Sequence, residues 1–321
     1  MTAPGVGPRL LGARELVSLV VPRLGDGGLL IVSDFDGTLA RIVMDPWGAA
    51  VIPEARRALR QLAGTPGVHV ALLSGRTALD LASRARVGGA IYLGNHGVER
   101  GILARGGRAE TMRIERDPEL ESYVEDAQLL ADRVARDVSE PWMVVERKGP
   151  SVAFHFRAAP DLVAARDRVL EAVERADTSG RLVRFPGRRA LEVRPPGAAA
   201  KRDALRLLIE ELRPATTLVL GDDAADADAF MVLRELRDAA VTDGFAVAVH
   251  AHAEMPEPVA AAADVALASP VETARFLAGL ARAIRAGRQA VTAPPRVTSS
   301  TAHARARASS PSSSGPSRPA T

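Results

Sequence analysis

Two aspartates stand directly after an apolar stretch near the start of the chain. In the segment LLIVSDFDGTLARIV, residues 29–43, the apolar run gives way to Asp34, Asp36 and a glycine. If this segment is extended, the spacing of two residues places both carboxylates on the same side. Carboxylates held so close repel each other unless a cation or a shared proton relieves them. The pair therefore indicates either a cation-binding reaction centre or a plain strand that runs into a polar Asp-Gly turn.

Polar groups of other kinds follow two further predicted strands. One hydroxyl ends the predicted strand 67–76, three carboxylates follow the strand that starts at residue 216, and a lysine begins the helix before it. The carboxyl ends of parallel strands meet at one edge of a sheet, where ligands bind. We therefore expect all these groups to converge on one crevice with the first pair. They are Ser74, Asp222, Asp223, Asp226 and Lys201.

This set of groups contains the parts needed for phosphoryl transfer. Clustered aspartate oxygens suit Mg²⁺, a hard cation that prefers carboxylates and waters, so Mg²⁺ is the expected cofactor. The ammonium of Lys201 and the hydroxyl of Ser74 suit phosphate oxygens. Catalysis of phosphoryl transfer rests mainly on positioning and charge stabilisation, which such groups supply. The sequence has no Walker-type loop, so a cradled nucleotide is not expected.

The apolar patterning predicts an α/β protein with a doubly wound parallel sheet and an inserted α/β cap. Strands and helices alternate over 29–100 and again after 196, which is typical of an open parallel sheet. Between these parts, 142–157 and 181–195 are predicted to be hairpins, so we expect a small separate unit there. The predicted divisions are a core of 1–108 and 191–286, a cap of 109–190 and a disordered basic Ser/Pro/Ala/Arg tail of 287–321.

The charge distribution argues against a specific nucleic-acid partner. The 321 residues have a calculated isoelectric point of about 9.9, but eight arginines follow Glu272 with no acidic residue among them. The remainder has 34 basic against 39 acidic side chains, so the basicity belongs to the end of the chain.

The sequence has no cysteine, no apolar run long enough for a membrane span and no secretion signal. We therefore expect a cytoplasmic protein without a membrane partner.

Lysine is scarce in this chain, because nearly every cationic side chain is arginine. Lys148 and Lys201 are its two lysines, against 40 arginines, and Asn95 is its single asparagine. Lysine carries a compact ammonium on a flexible stem, whereas arginine carries a broad planar fork. We therefore predict that both lysines occupy positions where a point charge must fit, with chance retention as the alternative.

The body of the chain, about 25–285, resembles the haloacid dehalogenase-like phosphatases. Four motifs occur in that family's order: DFDGTL (34–39), LLSGR (72–76), Lys201 and GDDAADADAF (221–230). Three further segments are similar to those of the trehalose-6-phosphate phosphatases within it: GNHGVE (94–99), ERKGPSVAFHFR (146–157) and LEVRP (191–195). The inserted unit is similar to that family's cap domain.

The resemblance implies a role for each matching residue. Asp34 would be the nucleophile that forms an aspartyl-phosphate, and Asp36 would protonate the leaving sugar oxygen and then activate water. Mg²⁺ would be held by Asp34, the backbone carbonyl of Asp36 and Asp222. Ser74 and Lys201 would bind the phosphoryl group. Behind the metal would stand Asp223 and Asp226, and the sugar would contact Asn95, Glu146, Lys148, Arg157 and Glu192.

The resemblance implies hydrolysis of trehalose 6-phosphate and a functional link to trehalose-6-phosphate synthase. Two alternatives stay open: a phosphatase of the same fold for another sugar phosphate, and a non-catalytic sugar-phosphate-binding subunit. The chain departs from the family pattern where glycine, threonine and glutamate are usual, and these departures leave the strictness of substrate choice open. The residues present instead are Arg202, Ala225 and Ala227.

The histidines have simpler interpretations. His96 and Asn95 are expected to shape a turn, with a substrate contact as the alternative. His155 is expected to be packed in a strand rather than to act as a base. A third group, His250, His252 and Glu254, has the composition of a metal site but follows a strand in an Ala-rich loop, so we interpret it as surface.

Overall fold

The computed structural model describes residues 7–292 apart from 26, 44, 188, 199 and 251–254. The strands are β1 (Arg9–Leu11), β2 (Leu29–Ser33), β3 (Val68–Leu73), β4 (Ile91–Gly94), β5 (Glu99–Ile102), β6 (Ile114–Arg116), β7 (Val144–Arg147), β8 (Val152–His155), β9 (Val183–Pro186), β10 (Ala190–Arg194), β11 (Thr216–Gly221), β12 (Asp243–Val249) and β13 (Val265–Leu267). The α-helices are α1 (Ala13–Val20), α2 (Pro53–Ala63), α3 (Ala78–Ala85), α4 (Pro118–Glu121), α5 (Val124–Asp137), α6 (Leu162–Ala176), α7 (Lys201–Leu212), α8 (Ala224–Asp238), α9 (Glu257–Ala262) and α10 (Pro270–Thr292).

The larger sheet has nine strands among the described residues, in the order β1-β13-β12-β11-β2-β3-β4-β5-β6. Its strands β1 to β4 and β11 to β13 are parallel, but β5 and β6 run antiparallel to their neighbours. The predicted parallel sheet is thus extended at this edge by two antiparallel strands, and the segment 90–100, predicted as one strand and a turn, forms two strands. Residues 90–100 form two strands because Asn95, His96 and Gly97 take left-handed backbone conformations, with φ of 50, 59 and 113°, and reverse the chain.

Both faces of this sheet are covered by helices. Along β2, Leu29 and Ile31 pack with α1, α2, α3 and α10, whereas Leu30 and Val32 pack with α7, α8 and α9. Burial of both faces explains why β2 is a continuous apolar run rather than an alternating one. The carboxyl ends of β2, β3, β4 and β11 then lie at one edge of the sheet, as predicted.

The cap is a second sheet with its own core. Its order is β7-β8-β10-β9, all antiparallel, and α5 and α6 pack on it around Phe154, Phe156 and Val169. The predicted cap boundaries of 109 and 190 do not fit this sheet. Strand β6 pairs with β5 of the core, and β10 pairs with β8 and β9, so the cap lies between Arg116 and Pro195.

The last described helix extends past the predicted start of the tail. Helix α10 continues to Thr292 rather than stopping at residue 286, because Arg288, Gln289 and Ala290 favour helix. The rest of the predicted tail, 293–321, lies outside the described residues. Among the residues that are described, no helix combines the length and apolar character needed to cross a membrane.

The separate cap core leads to a stability prediction. Replacing Phe154, which is fully buried, by alanine should lower the free energy of unfolding by about 3 to 5 kcal/mol, because it removes a ring and leaves a cavity. Phe185→Ala is the matched control in the same sheet, since that ring is 39% exposed and stacks on Arg194. Its cost should be about 1 kcal/mol or less. Chemical denaturation measures both, and equal losses would contradict the assigned core.

Candidate active site

Asp34 lies at the carboxyl end of β2, in the middle of the larger sheet. Its backbone N–H donates to the carbonyl of Leu220 at 2.9 Å, which fixes the turn against β11. Its side chain is only 6% exposed, and Lys201 Nζ donates to Asp34 Oδ1 at 2.6 Å. Lys201 is the first residue of α7 and is itself buried. The two groups that the sequence predicted to meet at one crevice are therefore in direct contact.

Two more carboxylates complete a compact cluster. One oxygen each of Asp34, Asp222 and Asp226 lie within 4.8 Å of one another, and all three residues are buried. Lys201 Nζ also donates to Asp226 Oδ1 at 2.8 Å and lies 3.9 Å from Asp223 Oδ1. Among the described residues, this is the acidic group with the spacing of a metal site. Its donors are carboxylate oxygens, which are the ligands that Mg²⁺ prefers.

Asp226 has a second task at the start of α8. Its Oδ2 accepts hydrogen bonds from the backbone N–H groups of Asp222, at 2.9 Å, and Asp223, at 3.1 Å. Asp223 caps the helix in return, since its Oδ1 accepts from the N–H of Asp226 at 3.0 Å. The sequence placed Asp223 and Asp226 together behind the metal. The structure separates them: Asp226 joins the buried cluster, whereas the Asp223 side chain is half-exposed.

Two glycines allow these carboxylates to approach. A Cβ on Gly37 would lie 2.2 Å from Asp222 Oδ2, and Gly37 has φ of +87°. A Cβ on Gly221 would lie 2.1 Å from Asp226 Cγ. Both distances are far inside van der Waals contact, so each position requires glycine. Thr38 follows and donates its hydroxyl to Asp222 Oδ1 at 3.3 Å.

The electrostatics of the cluster favour an additional cation. Burial raises the pKa of Asp34 to about 6, against the opposing charge of Lys201. Burial and the neighbouring carboxylates Asp34 and Asp226 raise the pKa of Asp222 to about 10. The pKa of Lys201 is raised well above its usual value because the nearby aspartates outweigh its burial. One ammonium does not neutralise the carboxylates, so the residues present fit a divalent cation.

The predicted acid and base, Asp36, faces a different partner. Its two carboxylate oxygens accept hydrogen bonds from Arg76 Nε at 2.6 Å and Nη2 at 2.8 Å. The predicted phosphate ligand Ser74 is buried beside them, and its hydroxyl accepts from the N–H of Arg76 at 3.3 Å. Arg76 was part of the quoted LLSGR motif, but the sequence alone suggested no role for it.

Cap residues meet the core directly above this crevice. Lys148 Nζ donates to the carbonyl of Gly75 at 2.7 Å and to Glu192 Oε1 at 3.1 Å, and it lies 3.7 Å from Glu146 Oε2. The Lys148 side chain is 5% exposed. Burial opposes its charge, but Glu192 and Glu146 outweigh burial and raise its pKa. The ammonium of Lys148 therefore points from the cap towards the core, and its contact with a sugar stays a prediction.

The remaining predicted sugar ligands lie at the same junction. Asn95 is fully buried, where its Nδ2 donates to Ser151 Oγ at 2.6 Å and to the carbonyl of Lys148 at 3.2 Å. Arg157 Nη1 donates to the carbonyl of Val43 at 2.5 Å. Asn95 and Arg157 thus join cap to core in this conformation. Burial lowers the pKa of Arg157, but it remains a cation.

Two histidines accompany the cap glutamates. His96 Nε2 lies 2.8 Å from Glu192 Oε2, so the turn that His96 was expected to shape also contacts the cap. His155 Nε2 lies 2.8 Å from Glu146 Oε2 within the cap sheet, in agreement with a packed strand histidine. Burial disfavours charge on Glu192, but Lys148 and His96 outweigh it and hold its pKa below the usual range. Of the third predicted group, His250 is half-buried, and His252 and Glu254 lie outside the described residues.

The sequence profile described as trehalose-phosphatase matches residues 32–266, which include the crevice and the cap. The chain belongs to the trehalose-phosphatase family. The curated trehalose-phosphate phosphatase of Mycobacterium marinum is 37% identical to it over 271 residues, 82% of this chain and 63% of that protein. The chain thus spans less than two thirds of the length of this relative.

Two solved structures share the fold of this family member. The C-terminal domain of the C. albicans trehalose-6-phosphate phosphatase has a TM-score of 0.67 at 22% identity and covers 87% of this chain and 99% of its own. A haloacid dehalogenase-like hydrolase from Bacteroides thetaiotaomicron has a TM-score of 0.52 at 20% identity and covers 81% and 99%. They confirm the predicted α/β core with a cap.

The residues that depart from the family pattern are near the cluster but outside its contacts. Arg202 is exposed and lies 3.8 Å from Asp203, its neighbour on α7. Ala227 is buried on α8, and Ala225 is half-buried. None of them lies in the group formed by Asp34, Asp222 and Asp226.

The tight approach at Gly37 gives a first test of the site. Gly37→Ala should lower turnover by on the order of a hundredfold, because the new Cβ must displace Asp222 from the cluster. Gly106→Ala is the matched control, since Gly106 also has a positive φ, +74°, but has open space around it. Steady-state kinetics at saturating Mg²⁺ measure both. Full activity of Gly37→Ala would show that the position of Asp222 is unimportant.

The raised pKa of Asp34 gives a second test, on metal binding and pH. Without metal, Asp34 holds its proton up to a pKa of about 6, whereas the unfolded chain releases it near 3.8, so this group lowers stability as pH rises between these values. Bound metal requires the ionised form. Mg²⁺ should therefore raise the melting temperature more at a pH of about 8 than at about 5, relative to EDTA. Equal stabilisation at both pH values would contradict a carboxylate metal site.

Proposed function

We propose that the protein hydrolyses trehalose 6-phosphate to trehalose and phosphate through an aspartyl-phosphate on Asp34, with Mg²⁺ as cofactor. The observation that carries the proposal is the 2.6 Å contact between Lys201 Nζ and Asp34 Oδ1 inside a buried carboxylate cluster, beneath a polar cap. Membership of the trehalose-phosphatase family supports the substrate class.

In the proposed first step, an Asp34 carboxylate oxygen forms a bond to phosphorus while the bond from phosphorus to the sugar oxygen breaks. Asp36 donates a proton to that leaving oxygen. In the second step, Asp36 takes a proton from water, the water oxygen attacks phosphorus, and the bond to Asp34 breaks. Lys201 and Ser74 hold the phosphoryl oxygens. Asp34, Asp222 and the backbone carbonyl of Asp36 would hold Mg²⁺, which would supply positive charge opposite the transferring group.

Charge distribution across the cap supports a sugar as the other half of the substrate. Glu146, Glu192 and Lys148 present two carboxylates and an ammonium close together at the junction with the core. The ammonium can donate hydrogen bonds to the neutral hydroxyls of a sugar, and the carboxylates can accept hydrogen bonds from them. A closed cap also keeps bulk water away from the aspartyl-phosphate.

Two other functions stay open as alternatives. Another sugar phosphate is possible as substrate because Arg202, Ala225 and Ala227 differ from the family pattern. A non-catalytic subunit of a synthase complex is the other, but a binding protein does not require a nucleophile and acid two residues apart. A functional link to trehalose-6-phosphate synthase and a cytoplasmic location belong to the proposal as well.

A panel of sugar phosphates separates these functions. With Mg²⁺ present, phosphate release should be fastest from trehalose 6-phosphate, and Asp34→Asn should abolish it for every substrate. Phosphate release from other disaccharide phosphates, but not from trehalose 6-phosphate, would show that the proposed substrate is wrong. No release from any substrate would favour the binding subunit.

The cap residue Lys148 gives a sharper test of sugar recognition. Lys148→Arg keeps the charge but does not fit a buried position fixed by Gly75 and Glu192, so kcat/KM for trehalose 6-phosphate should fall by on the order of tenfold, about 1.4 kcal/mol. Hydrolysis of a small aryl phosphate, which does not engage the cap, should change little. Wild-type kinetics of Lys148→Arg on both substrates would show that the site does not require a lysine at this position.

A further inference from the structure

Arg76 links the proposed acid to a second carboxylate. Its Nε and Nη2 donate to Asp36, and its Nη1 donates to Asp80 Oδ2 at 2.9 Å. The guanidinium also lies over the ring of Phe35, 5.5 Å from its centroid, and its side chain is 9% exposed. The guanidinium therefore lies between two carboxylates and donates hydrogen bonds to both. Burial opposes its charge, but Asp36 and Asp80 outweigh burial and raise the pKa of Arg76.

A second arginine continues the chain of contacts. Arg84 Nε donates to both oxygens of Asp80, at 2.9 and 2.8 Å. Its Nη1 donates to the carbonyls of Trp47, at 2.7 Å, and Ala49, at 2.9 Å. Asp36, Arg76, Asp80 and Arg84 thus alternate in charge and end on the backbone of the segment 47–49. We call these four residues the acid tether.

The geometry of α3 produces this arrangement. Arg76 precedes the N-cap Thr77, Asp80 lies in the first turn and Arg84 in the last, so Asp80 follows Arg76 by four residues and shares one face of α3 with Arg84, four residues further on. The side chains of Asp80 and Arg84 are 19% and 13% exposed. Screening by water is weak at such burial. The forked pairing of Arg76 Nε and Nη2 with the two oxygens of Asp36 fixes orientation as well as distance.

We propose that Asp80 and Arg84 are positioning residues that act through Arg76 to hold the carboxyl group of Asp36 where it meets the leaving oxygen. This inference rests on the proposed role of Asp36 as acid and base. Asp80 fixes the rotation of the Arg76 guanidinium, and Arg84 anchors Asp80 to the segment 47–49. Without Asp80, Arg76 keeps its pairing with Asp36 but loses the hydrogen bond from Nη1 to α3.

The effect of such a tether depends on the leaving group. A sugar alkoxide needs a proton from Asp36 as the bond to phosphorus breaks, whereas a nitrophenolate leaves without one. The parameter kcat/KM covers steps up to the first irreversible one, which is cleavage of that bond. A misplaced acid therefore lowers kcat/KM for the sugar phosphate and spares the nitrophenyl phosphate. A general loss of structure lowers both.

The test compares Asp80→Asn with the wild type on trehalose 6-phosphate and on p-nitrophenyl phosphate. For the sugar phosphate, kcat/KM should fall by about tenfold or more through kcat rather than KM, and for the nitrophenyl ester by less than about threefold. Asp264→Asn is the matched control. It breaks the forked pair of Asp264 with Arg237, at 2.6 and 2.9 Å and similar burial, on the far side of the core, and both substrates should be affected equally.

Arg84→Lys provides a second variant if Asp80→Asn folds poorly. It keeps the charge but gives up the simultaneous contacts of Nε with Asp80 and of Nη1 with the two carbonyls, and it should show the same selectivity to a smaller degree. Equal losses on both substrates, or none, would overturn the proposal. Asp36→Asn identifies the other failure: if it does not discriminate between the substrates, the acid role of Asp36 is wrong, irrespective of the tether.

Discussion

The confinement of three carboxylates around one ammonium is the constraint on which the site depends. Asp34, Asp222 and Asp226 bring oxygens within 4.8 Å of one another in a buried crevice, where water screens their repulsion poorly. Lys201 relieves part of it through short contacts with Asp34 and Asp226. Burial, together with the charges of neighbouring carboxylates, raises the pKa values of Asp34 and Asp222, and this excess of acidic groups fits a divalent cation.

Much of the surrounding structure serves to hold these charges together. The carboxyl ends of β2 and β11 bring Asp34 and Asp222 side by side, and Gly37 and Gly221 make room for them. The N-terminus of α8 binds Asp226 through two backbone N–H groups. On the cap side, the carboxylates of Glu192 and Glu146 balance the charge of Lys148. The hydrogen bond from Lys148 to the carbonyl of Gly75 holds these three side chains next to the crevice.

The sequence predicted the parts of the structure that depend on local patterns. Asp34, Lys201 and Asp222 were found because parallel strands bring their carboxyl ends together, and Lys148 because lysine is rare in this chain. Long-range pairing was not readable: β10 joins the cap sheet, and β5 and β6 run antiparallel, through registers that no local pattern shows. The pairing of Arg76 with Asp36, 40 positions apart, was missed for the same reason, although the spacing of Arg76, Asp80 and Arg84 was a visible signal.

The central claim is that Asp34, inside this cluster, is the group that receives phosphorus. Trapping the intermediate tests it most directly: the enzyme is mixed with trehalose 6-phosphate radiolabelled on phosphorus, quenched in acid within one turnover and digested. The account predicts label on the peptide that contains Asp34, absent in Asp34→Asn and chased away by unlabelled substrate in the wild type. Label on another peptide, or phosphate release during the first turnover with no labelled protein at any time, would contradict it.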